Sequence, residues 1–204
     1  MNAELLAYIP LEEVEKAFSA YLISISLKNK LNEILPHLSY TFAVEKISRA
    51  CSHQLVRHRI ASFSQQSQRY ITVKRLNERI VSPPSIGLNT DFNDFIKQSS
   101  ETYQRLVEGG TPKEDARFVL PNAAETSLLM TMDGKSLMHF LGLRTCFRAQ
   151  WEIRELADMM LEQLRSVEPR IFNEAGPYCY QLGYCPEGRH TCGRISEAME
   201  SYKI

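Results

Sequence analysis

The sequence contains neither of the common glycine-rich phosphate loops: G-x-G-x-x-G and G-x-x-x-x-G-K-[ST] are both missing from its 204 residues. It also has no apolar run near the roughly 20 residues that a membrane-spanning helix needs. No basic segment followed by an apolar stretch opens the chain, so we expect no signal peptide and a cytoplasmic protein. Five cysteines, an odd number in such a compartment, argue against a disulfide framework. Because the glycine-rich loops are missing, a ligand phosphate would have to be held by arginines and hydroxyl groups.

Charge is balanced over the whole chain but unevenly placed. Lysine and arginine together number 24, as do aspartate and glutamate, which argues against a surface built for nucleic acid or anionic membranes. The window from Lys46 to Asn77, however, holds seven lysines and arginines and no carboxylate. Inside it lies RHRIASFSQQSQRY, residues 57–70, whose arginines and hydroxyl groups match phosphate oxygens. The stretch predicts a local anion site, although a basic loop that is solvated or pairs with distant carboxylates explains it equally well.

Hydrophobic periodicity predicts a mixture of helices and scattered strands. Strands are expected at AELLAYIP, HLSYTFAVE, YITVKR and AETSLLMTM. Helices are expected at LEEVEKAFSAYLISISLKNKLNEIL, from Ile47 towards Arg57, and at DFNDFIKQSSETYQRLVEGG, KEDARFVL, GKSLMHFLGL and RAQWEIRELADMMLEQLRSV, the last with Trp151 facing inward. Thr111 and Glu114 suggest a capping box before KEDARFVL. Since strands and helices do not alternate regularly, the expected fold class is α+β.

The stretch at residues 57–70 resembles the signature of the flavin-dependent thymidylate synthases, in which Arg-His-Arg is followed after seven residues by Ser. Here these are Arg57, His58, Arg59 and Ser67. Four further segments resemble that family in the same order: SYTFAVEKISRACSHQLVRHR, EDARFVLPNAAETSLLMTM, FLGLRTCFRAQWEIRELAD and the tail AGPYCYQLGYCPEGRHTCGR. The resemblance covers roughly residues 39 to 193, and ordered blocks are more specific than one short motif.

The resemblance implies a single domain over residues 1–204, with helices packed on a mainly antiparallel sheet and a cysteine-containing tail from about residue 176. It implies a homotetramer with shared active sites. It also implies that dUMP is methylated to dTMP with methylenetetrahydrofolate as carbon donor and NADPH as reductant, through FAD. The family uses no enzyme cysteine as the nucleophile on the uracil ring. Neither a membrane nor a nucleic acid is an expected partner.

The same resemblance implies roles for individual residues. Arg144 is expected to favour the ionised form of uracil N3, which is physically sensible because a guanidinium beside the nitrogen stabilises the anion. Arg144 and Ser67 are the expected catalytic residues. The expected flavin contacts are Arg57, His58, Arg59, Ile60, Gln65, Asp133, Lys135 and His139. The expected dUMP contacts are Gln54, Arg57, Gln65, Gln66, Ser67, Gln68, Arg69, Arg117 and Arg144.

Several positions depart from the family pattern. Ser64 and Gln65 stand where Asn-Glu is usual, and Asp133 and Lys135 stand where Asn and Arg are usual. In NEILPHLSY, the residues Asn32, Ile34 and His37 occupy the places of His, Thr and Glu in a flavin motif, and the N-terminal segment is shorter than usual. Two alternatives therefore stay open: a diverged paralogue that binds nucleotides without turnover, and a nucleic-acid-binding module that uses the basic window 46–77.

The tail carries one further pattern. Cys179, Cys185, His190 and Cys192 form C-x5-C-x4-H-x-C, with side chains of the types that bind zinc. The spacing is not one of the tight paired forms, so we expect free thiols and no metal.

Overall fold

A four-stranded antiparallel sheet is the centre of the structure. The computed structural model describes residues 1–21, 33–71, 73 and 75–204. The strands are β1 (Asn2–Tyr8), β2 (Ser39–Ser48), β3 (Ser62–Gln65) and β4 (Glu125–Asp133), in the order β1-β2-β4-β3. Every neighbouring pair is antiparallel, with Phe42 opposite Met130 in the centre and Phe63 opposite Met130 on the other side.

The described helices pack on one face of this sheet or extend from its ends. They are α1 (Leu11–Tyr21), α2 (Arg49–Leu55), α3 (Thr90–Glu108), α4 (Lys113–Ala116), α5 (Gly134–Arg144), α6 (Trp151–Val167), α7 (Pro169–Phe172), α8 (Tyr178–Leu182) and α9 (Ile195–Tyr202). The expected α+β class, with helices on an antiparallel sheet, is confirmed. None of these helices is both long and apolar enough to cross a membrane.

Alternating side chains determine which face of the sheet is buried. Tyr40, Phe42 and Val44 of β2 are fully buried, and the pattern continues in the inward residues of β4. The residues between them in sequence point to the other face, where the hydroxyls of Thr41 and Thr131 lie 2.9 Å apart. The core is therefore one-sided, and the other face carries mostly small or polar side chains, with Leu129 of β4 as an exposed apolar exception.

Three predicted local features are wrong, and other predictions fall wholly or partly outside the described residues. The predicted strand YITVKR is not a strand at its described positions, because the backbone N–H groups of Tyr70 and Ile71 both donate to the carbonyl of Ser67 in a turn. Helix α4 is capped by Pro112 without a side-chain hydrogen bond, so Thr111 forms no capping box. Trp151 is only half-buried. The expectation for Asn32 and the part of the predicted helix LEEVEKAFSAYLISISLKNKLNEIL at residues 22–32 lie outside the described residues.

Candidate active site

A buried carboxylate fixes the start of the helix that leads into the Arg-His-Arg turn. Ser48 is the N-cap of α2, and its Oγ accepts a hydrogen bond from the backbone N of Cys51 at 2.9 Å. The backbone N and the Oγ of Ser48 in turn donate to the two carboxylate oxygens of Glu152, at 2.6 and 2.5 Å. Glu152 is only 1% exposed, on the first turn of α6. This contact joins segments 104 residues apart and fixes the position of α2.

The turn after α2 presents two arginines to solvent. Helix α2 ends at Leu55, and the backbone N–H groups of Arg57 and His58 still donate to carbonyls of its last turn. Arg57, Arg59 and Ile60 are exposed, with Ile60 at 73%. Within the described part of the chain, neither guanidinium forms an ion pair. Both arginines are therefore available as donors to an anion.

The middle residue of the turn, His58, lies against Arg144 instead. Arg144 Nε donates to His58 Nε2 at 2.9 Å, so His58 must be neutral with its proton on Nδ1. Burial lowers the pKa of His58 to about 4, and the charges of Arg144 and His139 act in the same direction. The ring also packs edge-on against Phe140, with centroids 5.0 Å apart. At neutral pH the site thus holds an uncharged imidazole beside a charged guanidinium.

The C-terminal tail reaches this group through Tyr178. Its hydroxyl lies 2.5 Å from Nδ1 of His139, and the ring of His139 is 6.2 Å from that of His58. The close approach requires a glycine at position 142, since a Cβ there would lie 2.9 Å from atoms of the Tyr178 ring. Burial raises the pKa of Tyr178, which keeps the phenol protonated. Sequence reasoning did not select Tyr178, because nothing local to the tail indicates a contact with α5.

A second group of predicted residues follows β3. Gln65 Nε2 donates to Thr126 Oγ1 at 3.2 Å, and Ser67 Oγ accepts from the backbone N of Arg69 at 3.2 Å. A terminal nitrogen of Arg69 forms an exposed ion pair with Glu114 at 2.7 Å. Arg117 donates to the backbone carbonyl of the same glutamate at 3.0 Å. The structure therefore brings Arg69 and Arg117 together around Glu114.

Arg69 already has a carboxylate partner, but that partner is replaceable. An exposed ion pair contributes only about 0 to 1 kcal/mol to stability, so an incoming phosphate can displace it at little cost.

Burial lowers the pKa of Arg49, and the nearby charge of Arg117 lowers it further. Arg49 lies in the basic window, but it is not among the residues that the family resemblance assigns to the site. Its position beside Arg117 adds a third guanidinium to this region.

The remaining predicted residues lie on α2, at the start of α5 and after β3. Asp133 caps α5: its two carboxylate oxygens accept from the backbone N and the hydroxyl of Ser136, both at 2.8 Å. Lys135 is exposed in the first turn. Gln54, Gln66 and Gln68 are half-buried. Both carboxylate oxygens of Asp133 lie at the N-terminus of α5, where the helix dipole offsets part of their negative charge.

Glu152 could have been found from the sequence. It lies four residues before Leu156, on the apolar side of its helix, where an acid must have a partner. All five cysteines of the chain, three of them in the tail, are free thiols. No group of three or more His, Cys, Asp or Glu side chains in the described ranges is arranged to hold a metal ion.

Comparison with known proteins identifies sequence relatives of this chain. Residues 3–170 match the family model described as thymidylate synthase complementing protein. The flavin-dependent thymidylate synthase of Geobacter sulfurreducens is 45% identical over 205 residues, which cover 97% of this chain and 88% of the relative. The protein of the same name from Nitratidesulfovibrio vulgaris is 46% identical over 195 residues, covering 89% of this chain and 79% of the relative.

Solved structures agree on the fold. A crystal structure of Thymidylate Synthase X from Helicobacter pylori with FAD and dUMP superposes with a TM-score of 0.70 at 24% identity, covering 84% of this chain and 97% of that one. A second crystal structure of that enzyme with FAD and dUMP gives a TM-score of 0.69 at 23% identity, over 86% and 100% of the two chains.

Proposed function

The chain belongs to the family of flavin-dependent thymidylate synthases, and on that premise we propose that it converts dUMP to dTMP. Methylenetetrahydrofolate is the proposed carbon donor, NADPH the reductant and FAD the cofactor. The single observation that best supports this function within the structure is the pair formed by neutral His58 and charged Arg144. Arg144 donates through Nε to His58, and the sequence neighbours of His58, Arg57 and Arg59, have no carboxylate partner among the described residues.

The residues of the turn suit a flavin dinucleotide. Arg57 and Arg59 offer unpaired guanidinium groups for its phosphates, and exposed Ile60 offers an apolar surface for its ring. We propose that His58, Gln65, Lys135 and His139 complete the contacts, with Asp133 beside Lys135. The bound flavin would supply the redox chemistry between NADPH and the transferred carbon. Gln65 and Lys135 are departures from the family pattern, but both side chains still offer hydrogen-bond donors.

We propose that dUMP lies between the two groups of site residues. Its phosphate would take Glu114's place on Arg69, with Ser67 and Arg117 beside it. The other proposed contacts are Gln54, Arg57, Gln65, Gln66, Gln68 and Arg144.

Arg144 acts on the reacting ring in this proposal. Its Nε is occupied by His58, so its terminal nitrogens are directed to the ligand, where they stabilise the anion at uracil N3 and lower the pKa of that nitrogen. A protonated His58 could not accept this hydrogen bond. Its low pKa therefore keeps the arginine correctly oriented at neutral pH.

The proposal includes a homotetramer with shared active sites in the cytoplasm. Two large apolar side chains are exposed near the site. Phe118, which follows Arg117, is 82% exposed, and Leu129, on the uncovered face of the sheet, is 45% exposed. Such exposure is typical of surfaces that contact another protein.

Arg57 provides a direct binding test. We expect Arg57→Ala to weaken dUMP binding at least tenfold in calorimetric titration of the flavin-loaded protein, because a charge-assisted bidentate contact is lost. Arg105→Ala is the matched control, since Arg105 is exposed on α3 and, among the described residues, its guanidinium donates to the hydroxyl of Thr102 in the same helix. Unchanged affinity in Arg57→Ala would refute the assignment of this arginine to the nucleotide.

A further inference from the structure

The C-terminal tail and the connection between α5 and α6 enclose a cavity of about 530 Å³. Four of the five cysteines line it: Cys146 from the connection, and Cys179, Cys185 and Cys192 from the tail. The fifth, Cys51, is buried in the core. The proposed reaction uses none of these thiols, so their concentration in one cavity needs another explanation.

The four thiols line the same cavity, so they lie near one another. Burial raises the pKa of Cys179, and Cys146, Cys185 and Cys192 each raise it further, with Cys146 the strongest of the three. All are free, and none of the described groups is arranged as a set of metal ligands. Thiols that lie close together can react with each other once one of them is oxidised.

We propose that this cavity is a thiol oxidation site, at which a peroxide converts Cys146 and Cys179 into a disulfide. The Cys146 sulfur attacks the O–O bond of the peroxide, forms a sulfenic acid and releases one water. The Cys179 sulfur then attacks the sulfenic sulfur and forms the S–S bond, and its proton leaves with the second water. Two thiols lose one hydrogen each and the peroxide is reduced to two waters.

Exposure distinguishes one of the other two thiols. Cys192 is exposed, whereas Cys146, Cys179 and Cys185 are half-buried, so Cys192 remains the most accessible thiol for the exchange that reopens the bridge. The bridge would join α8 to the residues directly after Arg144. It would also close a loop in the chain and so restrict its unfolded state, which should raise the melting temperature. The oxidation itself does not depend on the proposed enzyme activity.

The test uses the full-length, freshly reduced protein. After treatment with hydrogen peroxide and quenching, thiol titration in denaturant should fall from five free cysteines to three, and a reductant should restore all five. Peptide mapping should recover Cys146 linked to Cys179. Cys192→Ser is the control variant, and it should lose the same two thiols.

Three outcomes would overturn the proposal. The first is an unchanged thiol count after peroxide treatment. The second is a linked pair that lacks Cys146 or Cys179, or that joins two copies of the chain. The third is a stoichiometric zinc ion in the purified protein that is released only when the tail cysteines are modified, which would make the thiols metal ligands. Because mapping is done on the wild-type protein, the result does not depend on whether a cysteine variant folds.

Discussion

Replacing Glu152 tests how the site is held in place. The Glu152→Ala change removes the acceptor of two hydrogen bonds from Ser48, in a position that is 1% exposed. Hydrogen bonds to a charged group contribute about 1.5 to 3 kcal/mol each, while removing a buried carboxylate also removes its desolvation cost. We therefore expect a net loss of about 3 kcal/mol in the free energy of unfolding.

The loss can be measured by thermal and urea unfolding at one fixed protein concentration. For a chain of this length, about 3 kcal/mol corresponds to a fall in melting temperature of about 6 to 12 °C. Glu152→Gln is the matched control, because it keeps the shape and one acceptor oxygen and should lose clearly less. Ser48→Ala should cost about 1 to 2 kcal/mol through the lost cap.

The double variant separates this contact from general damage to the core. Ser48→Ala combined with Glu152→Ala should destabilise by less than the sum of the single changes, with a coupling of about 1 kcal/mol or more. Two results would refute the reasoning: a loss below about 1 kcal/mol in Glu152→Ala, or simple additivity in the double variant.

Two further predictions concern the groups around Arg144. In the unfolded chain His58 takes up its proton near its ordinary pKa of 6.5, whereas in the folded chain the pKa of His58 is about 4. The contribution of neutral His58 to the free energy of unfolding is therefore complete above pH 6.5 and is lost as the pH falls towards 4. Urea unfolding at several pH values should show this slope, and His58→Gln, which still accepts from Arg144, should flatten it. Gly142→Ala should lower the melting temperature although alanine favours helix, since its Cβ would meet the Tyr178 ring at 2.9 Å. An equal or higher melting temperature would contradict that contact.

Elements with strong periodicity were predictable from the sequence. Strands β2 and β4 alternate apolar and polar residues along their length, and helices α3 and α6 carry apolar residues at helical spacing. YITVKR has a composition as favourable for a strand as theirs. At the β3 edge of the sheet, however, β4 pairs with residues 62–65. Which of the two segments, SFSQ at residues 62–65 or YITVKR, forms the edge strand depends on pairing with β4, and local strand propensity does not predict that pairing.

The capping box failed for a similar reason. The backbone N of Thr111 donates to the carbonyl of Leu106 at 2.9 Å, so this residue completes the end of α3. Pro112 then takes the cap position with an extended backbone. A residue between two closely spaced helices can belong to either one, and the sequence pattern does not say which.

The site was predictable in composition but not in its contacts. The family resemblance identifies Arg57, His58 and Arg144 as candidates, yet it does not say that His58 accepts a hydrogen bond from Arg144. The ion pair between Arg69 and Glu114 spans 45 residues, and Tyr178 reaches His139 across 39. Contacts of this length depend on how the helices pack, so they require the structure.

The most direct test of the central claim is dTMP formation by the purified protein. The flavin-loaded enzyme should convert dUMP to dTMP when methylenetetrahydrofolate and NADPH are both present, and omission of any one component should abolish the product. Arg144→Lys should reduce turnover more than dUMP binding, because its role is activation of the ring. If the protein binds FAD and dUMP but forms no dTMP under these conditions, it is a paralogue that has kept the nucleotide site without the reaction.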